Sequence, residues 1–450
     1  MKRNGLGVFA TMVALLAAPV AKADTLSDAL VSAYNSSGLL DQNRALLRAA
    51  DEGVAQAMGS LLPVISWSVA SNRTDTPAGV TNSTVARLTG SLTLYDGGAN
   101  RLAIDAQKEV VLATRQSLRS VEQSVLLRTV QSYMNLISAG EFVQLRQNNV
   151  RLITQELRAA EDRFEVGEVT RTDVSLAQAR LAQARSLLAS AQGDLAIARE
   201  EYRAAVGKVA NAPRGVGPAP VSRSLIDAQN FAVRNHPAIL EAQHNVAAAE
   251  LNIRRAEKAV MPSVTLDGSM SRDNNDTNTA QIGINIGGPL YTGGAISSQI
   301  RQAQANRDVA RSGLHIGLIS IEQQVANAFA QLQVARATRV ASEEQIRAAT
   351  VAFQGVREEA TLGSRTTLDV LNAEQELLDA RANRIAAQSS EVVASYAVLS
   401  AMGLLTVDHL NLPVQQYDPA EYYNLVTEAP GRVSAQGAAL DRVLEALGQN

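Results

Sequence analysis

Apolar residues recur along most of this chain at helical spacing. Leu318, Ile321, Val325, Ala328, Leu332 and Ala335 fall at alternating intervals of three and four, the seam of a coiled coil. Much of the seam is Ala, so neighbouring helices can pack closely. The pattern predicts two long helices, at about 100–164 and 295–360, each of about 65 residues and roughly 100 Å at 1.5 Å per residue. Shorter helix-favouring stretches run from Leu26 to about Met58, from Leu225 to about Ala259, and up to Gly207 and Gly403. Two short helices placed end to end match one long helix, so each pair should lie alongside it.

Four segments change to a period of two: about 64–72, 84–95, 263–272 and 280–291. In the first, Ile65, Trp67 and Val69 alternate with Ser66, Ser68 and Ala70, and in the second Leu88, Gly90, Leu92 and Leu94 alternate with Arg87, Thr89, Ser91 and Thr93. The third sets Val264, Leu266, Gly268 and Met270 against Thr265, Asp267, Ser269 and Ser271, and the fourth sets Ile282, Ile284, Ile286 and Leu290 against Gln281, Gly283, Asn285 and Gly287. One apolar face, one small polar face and a length near the roughly 9 to 11 residues of a spanning strand describe a membrane β-barrel. The alternative is a soluble hairpin with one face on a core. Polar stretches at 71–83 (SNRTDTPAGVTNS) and 273–278 (DNNDTN) are the expected turns.

Four strands in lipid leave unpaired edges that must close. Two chains would supply eight strands, a barrel size that fills with side chains; three supply twelve and leave a passage. A trimer is the expected assembly.

The chain repeats itself. Gly167, Thr170, Asp173, Val174, Ala177 and Gly207 recur as Gly363, Thr366, Asp369, Val370, Ala373 and Gly403, each 196 residues on, and Tyr95-Asp-Gly-Gly-Ala99 recurs as Tyr291-Thr-Gly-Gly-Ala295 at the same offset. An offset held over so long a span indicates tandem duplication. The expected organisation is a first repeat over 24–210, a Pro- and Gly-rich linker over 211–222, a second repeat over 223–404 and a C-terminal segment and tail over 405–450.

Residues 1–23 carry Lys2 and Arg3, an apolar run from Leu6 to Val20, and Ala21 and Ala23 before a cut, which reads as a secretory signal. Its removal leaves 38 basic against 44 acidic residues, a net charge of −6. An acidic exported chain is a poor nucleic-acid binder. With no cysteine there is no disulfide, thiolate metal site or lipid-modified Cys. His236, His244, His315 and His409 show no zinc-ligand spacing and read as solvated positions; with no nucleophile elbow either, no catalysis, metal or cofactor is expected.

The two glycine pairs Gly97-Gly98 and Gly293-Gly294 sit between strand and long helix, where backbone angles open to glycine allow the turn. No Gly-Lys-Ser/Thr follows, so they are not a phosphate cradle. At the far ends, Gly167 and Gly363 terminate the long helices, and Thr170-x-x-Asp173 and Thr366-x-x-Asp369 each start the next helix as a capping box. The turns span 165–172 and 361–368.

The residues LYDGGA at 94–99, PLYTGGA at 289–295, VGEVTRTDV at 166–174 and LGSRTTLDVLNAEQELLDAR at 362–381 resemble the TolC family of outer-membrane efflux and secretion channels, over nearly all of the mature chain. LPVQQYDP at 412–419 is similar to the tail of members that serve type I protein secretion. The resemblance implies a homotrimer, mainly α with membrane β, in which a twelve-stranded outer-membrane barrel in lipid continues into a periplasmic barrel of helices. A periplasmic adaptor (membrane fusion protein) and an inner-membrane ABC or proton-driven transporter would complete the conduit for protein secretion, drug efflux or both.

The resemblance further implies that the periplasmic tip is a gate. Asp369 is then a ring acid, Arg365 and Thr172 a bonding pair, and Asp173 a second lock residue. Asn372 stands where the best-known member has a further Asp, so one acidic ring is lost, and Ala360 replaces a tyrosine partner of the Asp173 position. Gly167, Val169, Thr170, Leu362, Gly363 and Ser364 are the expected adaptor contacts. A coiled-coil adaptor is the alternative reading, but it would have one hairpin and lack the duplication and the paired strands.

Overall fold

The structure, a computed structural model, describes residues 24–428 and 442. The expected signal segment and most of the tail beyond 428 lie outside the described residues. Two repeats follow the same order. The first is α1 (Leu26–Ser36), α2 (Gly38–Gly59), β1 (Val64–Thr76), β2 (Gly79–Tyr95), α3 (Ala99–Glu165) and α4 (Arg171–Val206). The second is α5 (Leu225–Asn235), α6 (Pro237–Glu257), β3 (Ser263–Asp273), β4 (Asn278–Gly287), α7 (Ala295–Thr361) and α8 (Thr367–Ala401), with a short 3-10 turn at Lys258–Val260 and a final α9 (Pro419–Glu428).

Both long helices have 67 residues. α3 is flanked by α1 and α2 toward the sheet and by α4 toward the tip, and α7 likewise by α5, α6 and α8. End-to-end stacking of short helices against a long one is therefore present in both repeats. The α7 seam is buried at Ile321, Val325, Ala328, Leu332 and Ala335, with Leu318 packed at its margin. α6 also packs against α3, which joins the repeats.

The initial helix of each repeat is broken, where the helix-favouring composition predicts an unbroken one. Ser37 has extended backbone and its hydroxyl caps α2 at Leu40. His236 does the same for α6, because the Pro237 ring disfavours helical geometry in the residue before it. The His236 imidazole is buried and its Nδ1 accepts from Ala238 N at 3.2 Å, and the His244 ring bonds Glu109 at 2.7 Å. His236 is thus a structural group, not a solvated one, while His244 is partly exposed and held by Glu109.

The four strands form one antiparallel sheet in the order β1-β2-β3-β4. Its register aligns the two faces across both repeats. Trp67 faces Leu88, Leu88 faces Met270, and Met270 faces Ala280; Leu92 faces Leu266, which faces Ile284. Between these rows Ser66, Thr89, Ser269 and Gln281 align on the other face. Trp67 is 79% exposed and Ile282 81%, so the apolar face has no protein cover in the single chain. The β1 and β4 edges are free. Among the described residues no helix is long and apolar enough to cross a membrane.

The β1–β2 connection differs from the expected long polar turn. Pairing continues to Thr76 opposite Gly79, so that only Pro77 and Ala78 turn the chain. Above an apolar belt both faces are polar, and alternation of hydropathy disappears while the backbone ladder continues. β4 stops at Gly287, short of 291, since Pro289 has no N–H for a ladder.

The main core lies midway along the helices. Tyr133 of α3 and Tyr202 of α4 are fully buried there with ring centroids 6.2 Å apart, beside Leu405 and Val407 of the C-terminal segment. The Tyr133 hydroxyl lies 3.0 Å from Asp24 O and 2.7 Å from Arg214 O, which ties Asp24 and the inter-repeat linker to α3.

Candidate functional site

At the strand-to-helix junctions, Gly97, Gly98, Gly293 and Gly294 have φ of 67°, 87°, 60° and 85°. The second glycine of each pair is the N-cap of a long helix. A left-handed turn here joins each strand pair to its long helix.

The opposite ends of the long helices carry the two tips. Both finish with the same hydrogen-bond pattern: Glu168 N donates to Arg163 O at 2.9 Å, and Ser364 N donates to Glu359 O at 3.0 Å. Gly167 and Gly363 supply the left-handed residue, at φ 78° and 79°. Three residues later the capping boxes form. Thr170 N and Oγ1 donate to Asp173 Oδ2 at 2.9 and 2.7 Å, and Thr366 N and Oγ1 donate to Asp369 Oδ2 at 3.0 and 2.8 Å. These bonds hold both carboxyls below the usual aspartate range: the side-chain bond from Thr170 leads for Asp173, the backbone bond from Thr366 for Asp369. Both acids are therefore ionised at neutral pH.

The fold sets the tips side by side. Val169, Thr170 and Asp173 share a cleft of about 530 Å³ with Leu362, Gly363 and Arg365. Leu362 is 84% exposed, and Val166 at the equivalent cap of the first hairpin is 71% exposed. Val166 is not among the tip contacts expected from the motifs, although the 196-residue offset pairs it with Leu362.

The expected lock takes a different form within the chain. Arg365 donates to Glu359 Oε2 at 2.8 Å rather than to Thr172, which is exposed in the first turn of α4. The guanidinium follows its own helix end, six residues back, because the Schellman-type turn folds Ser364 and Arg365 over Glu359. Asp173 is likewise occupied by its own cap. The hairpins are instead bridged higher up: Arg180 Nη2 donates to Asn372 Oδ1 at 3.3 Å, and Asn149 Nδ2 donates to Glu374 Oε1 at 2.8 Å. Neither bridge has a signal in the sequence, since each joins residues about 200 positions apart. Among the described residues no group of side chains could hold a metal ion.

Residues 29–208 and 230–404 match the family described as Outer membrane efflux protein, and the two matched segments fall on the two repeats. The chain is 37% identical to outer membrane efflux protein BepC of Brucella suis, over 92% of this chain and 93% of that one. It is 25% identical to outer membrane protein TolC of Salmonella enteritidis, over 87% and 84%. Among solved structures, CusC superposes with a TM-score of 0.76 at 20% identity, covering 84% of this chain and 91% of that one. With both repeats matched and the fold shared, this chain belongs to the outer membrane efflux protein family of TolC-like channels.

Proposed function

We propose that three copies of this chain form a passive exit duct through the outer membrane, the last component of a tripartite export system. The observation that carries this reading is the sheet: a single register holds an apolar face and a polar face across four strands, with both edges free. Edges that cannot remain open in lipid are satisfied when β4 of one chain pairs with β1 of the next. Twelve strands then surround a lumen of Ser, Thr, Asn, Gln and Asp side chains. The paired helices continue that lumen into the periplasm.

The paired tips are the docking and gating end. Threefold symmetry places six exposed apolar caps, three copies each of Val166 and Leu362, on one rim, a surface suited to the helical hairpin of a periplasmic adaptor. Asp369, ionised and close to Asn372, is the acid of the constriction. The adaptor links the duct to an inner-membrane ABC or proton-driven transporter, and the cargo is protein, drug-like molecules or both. The chain itself performs no chemistry. Heat-modifiable trimers in outer-membrane fractions, with channel conductance in planar bilayers, are the expected results; a monomeric periplasmic protein without conductance would overturn the reading. A deletion strain scored for drug sensitivity and for secreted protein identifies the cargo.

A further inference from the structure

Glu374 is the anomaly of the lower coiled coil. It lies on α8, five residues past the ring acid, and is 4% exposed. Its own helix surrounds it with buried Leu371, Leu377 and Leu378. It faces α3 of the other hairpin, where Asn149, also buried, donates to its Oε1. Its Oε2 is buried without a partner.

A carboxylate in that position is costly. One neutral amide bond does not replace the hydration of an anion, and an unsatisfied buried oxygen adds to the penalty. The charges facing it do not compensate. Glu156 of α3 opposes ionisation and Arg357 of α7 favours it, but these two are 3.6 Å apart and largely neutralise one another. Arg180 of α4 is engaged by Asn372. Burial therefore dominates and raises the Glu374 pKa to about 7.

The location converts this cost into a mechanical property. Glu374 is buried between the hairpins, so a movement that draws α7 and α8 away from α3 and α4 returns it to water, where it ionises in the ordinary carboxylate range. We infer that Glu374 is a proton-controlled bolt between the two hairpins of each chain: neutral, it lets them stay docked; ionised, it drives them apart. The sign follows from linkage. The docked state binds the proton more tightly, so docking is fully favoured below about pH 4.5, weakens as pH rises toward about 7, and stays weakened above that. Acidification of the periplasm would hold the hairpins together. The inference rests on the tips being the gating end only where it is extended to flow through the duct.

The chain has no cysteine, so spin labels can be placed freely. The experiment introduces Val166→Cys and Leu362→Cys, labels both, dilutes labelled chains into unlabelled trimers in nanodiscs, and measures the distance between labels by double electron–electron resonance from pH 5 to pH 8. Each unit of raised pKa is a factor of ten in the coupled equilibrium, so the docked-to-parted ratio should fall about tenfold or more across this range. Glu374→Gln keeps the bond to Asn149 without the charge and should stay docked throughout. The double variant Asn149→Leu, Glu374→Leu, which replaces the pair by apolar groups, should do the same. A wild-type distance that ignores pH, or a pH response that persists in both variants, overturns the bolt. Docking that follows pH while bilayer conductance does not would leave the bolt standing and overturn the tip as the gate.

Discussion

Arg180 of α4 spans the two hairpins to donate to Asn372 of α8 at 3.3 Å. A carboxylate at position 372 would be drawn to the same guanidinium, so the amide keeps the bridge without adding a charge at the proposed constriction. Asn372→Asp is predicted to strengthen the bridge modestly, since the pair is exposed, and to add a second acidic ring beside Asp369. Block of conductance by multivalent cations should become stronger, and combining Arg180→Ala with Asn372→Asp should strengthen it further by freeing the new carboxylate.

The tip acids cap helices and, in the proposed gate, also face the axis, and the two roles can be separated. Thr366→Ala removes the cap hydroxyl, at a cost of about 1 kcal/mol to the start of α8, while keeping the charge of Asp369. Asp369→Ala removes both. Thr366→Ala should leave cation block nearly unchanged and Asp369→Ala should abolish most of it. The Asp369 carboxyl is held low by its bonds from Thr366, so its capping contribution is complete at neutral pH and is lost only as pH falls through that depressed value.

Asp51 of α2 is fully buried with neither carboxyl oxygen paired, and burial raises its pKa to about 6 despite nearby Arg115. A folded-state pKa above the unfolded value means that stability falls as pH rises from about 4 to about 6 and does not recover beyond it. Asp51→Asn is predicted to raise the melting temperature of the purified trimer at pH 7.5 and to leave it unchanged near pH 4, as read by circular dichroism.

Tyr133→Phe is predicted to destabilise the chain by about 1–2 kcal/mol, because Arg214 N donates to the lost hydroxyl at 3.1 Å and the Asp24 and Arg214 carbonyls lose its contact. The volume change is small, so the loss reports the hydrogen bonds. Denaturant titration gives the magnitude, and limited proteolysis should show earlier cutting at the inter-repeat linker.

Two glycines with nearly equal backbone angles should respond unequally to alanine. Gly167, at φ 78°, has open space where a Cβ would be built, so Gly167→Ala carries only the conformational penalty of roughly 1 kcal/mol. Gly207, at φ 80°, would drive a Cβ into Ser36, whose hydroxyl bonds Val206 O. Gly207→Ala should therefore cost about 1–3 kcal/mol more. Comparative thermal unfolding of the two variants tests the difference.

Local hydrogen bonding and side-chain period are legible without coordinates. A strand whose residues alternate, a seam at spacings of three and four, and a Thr three residues before an Asp each state their structure within a few positions, and the 196-residue offset shows that the statement is made twice. The duplication, the strand faces and the paired caps follow from the sequence for that reason. The breaks at Ser37 and His236 are also local, but helix-favouring Ala on both sides masks them. The continuation of β1 and β2 beyond the apolar belt is hidden because hydropathy stops alternating where both faces are polar.

What joins the hairpins is settled only by packing. Arg365 has several carboxylates and hydroxyls within reach of a flexible side chain, and the turn geometry gives it to Glu359. Arg180 and Asn372, and Asn149 and Glu374, meet because α3 and α4 lie against α8 at one particular rotation and height. A shift of one residue along α8 would turn Glu374 by about 100° and break its meeting with Asn149. Sequence by itself determined that this chain makes two strand pairs and two long hairpins; the tertiary structure decided which side chains hold one hairpin to the other, since contacts across about 200 residues depend on the relative placement of helices that no local pattern encodes.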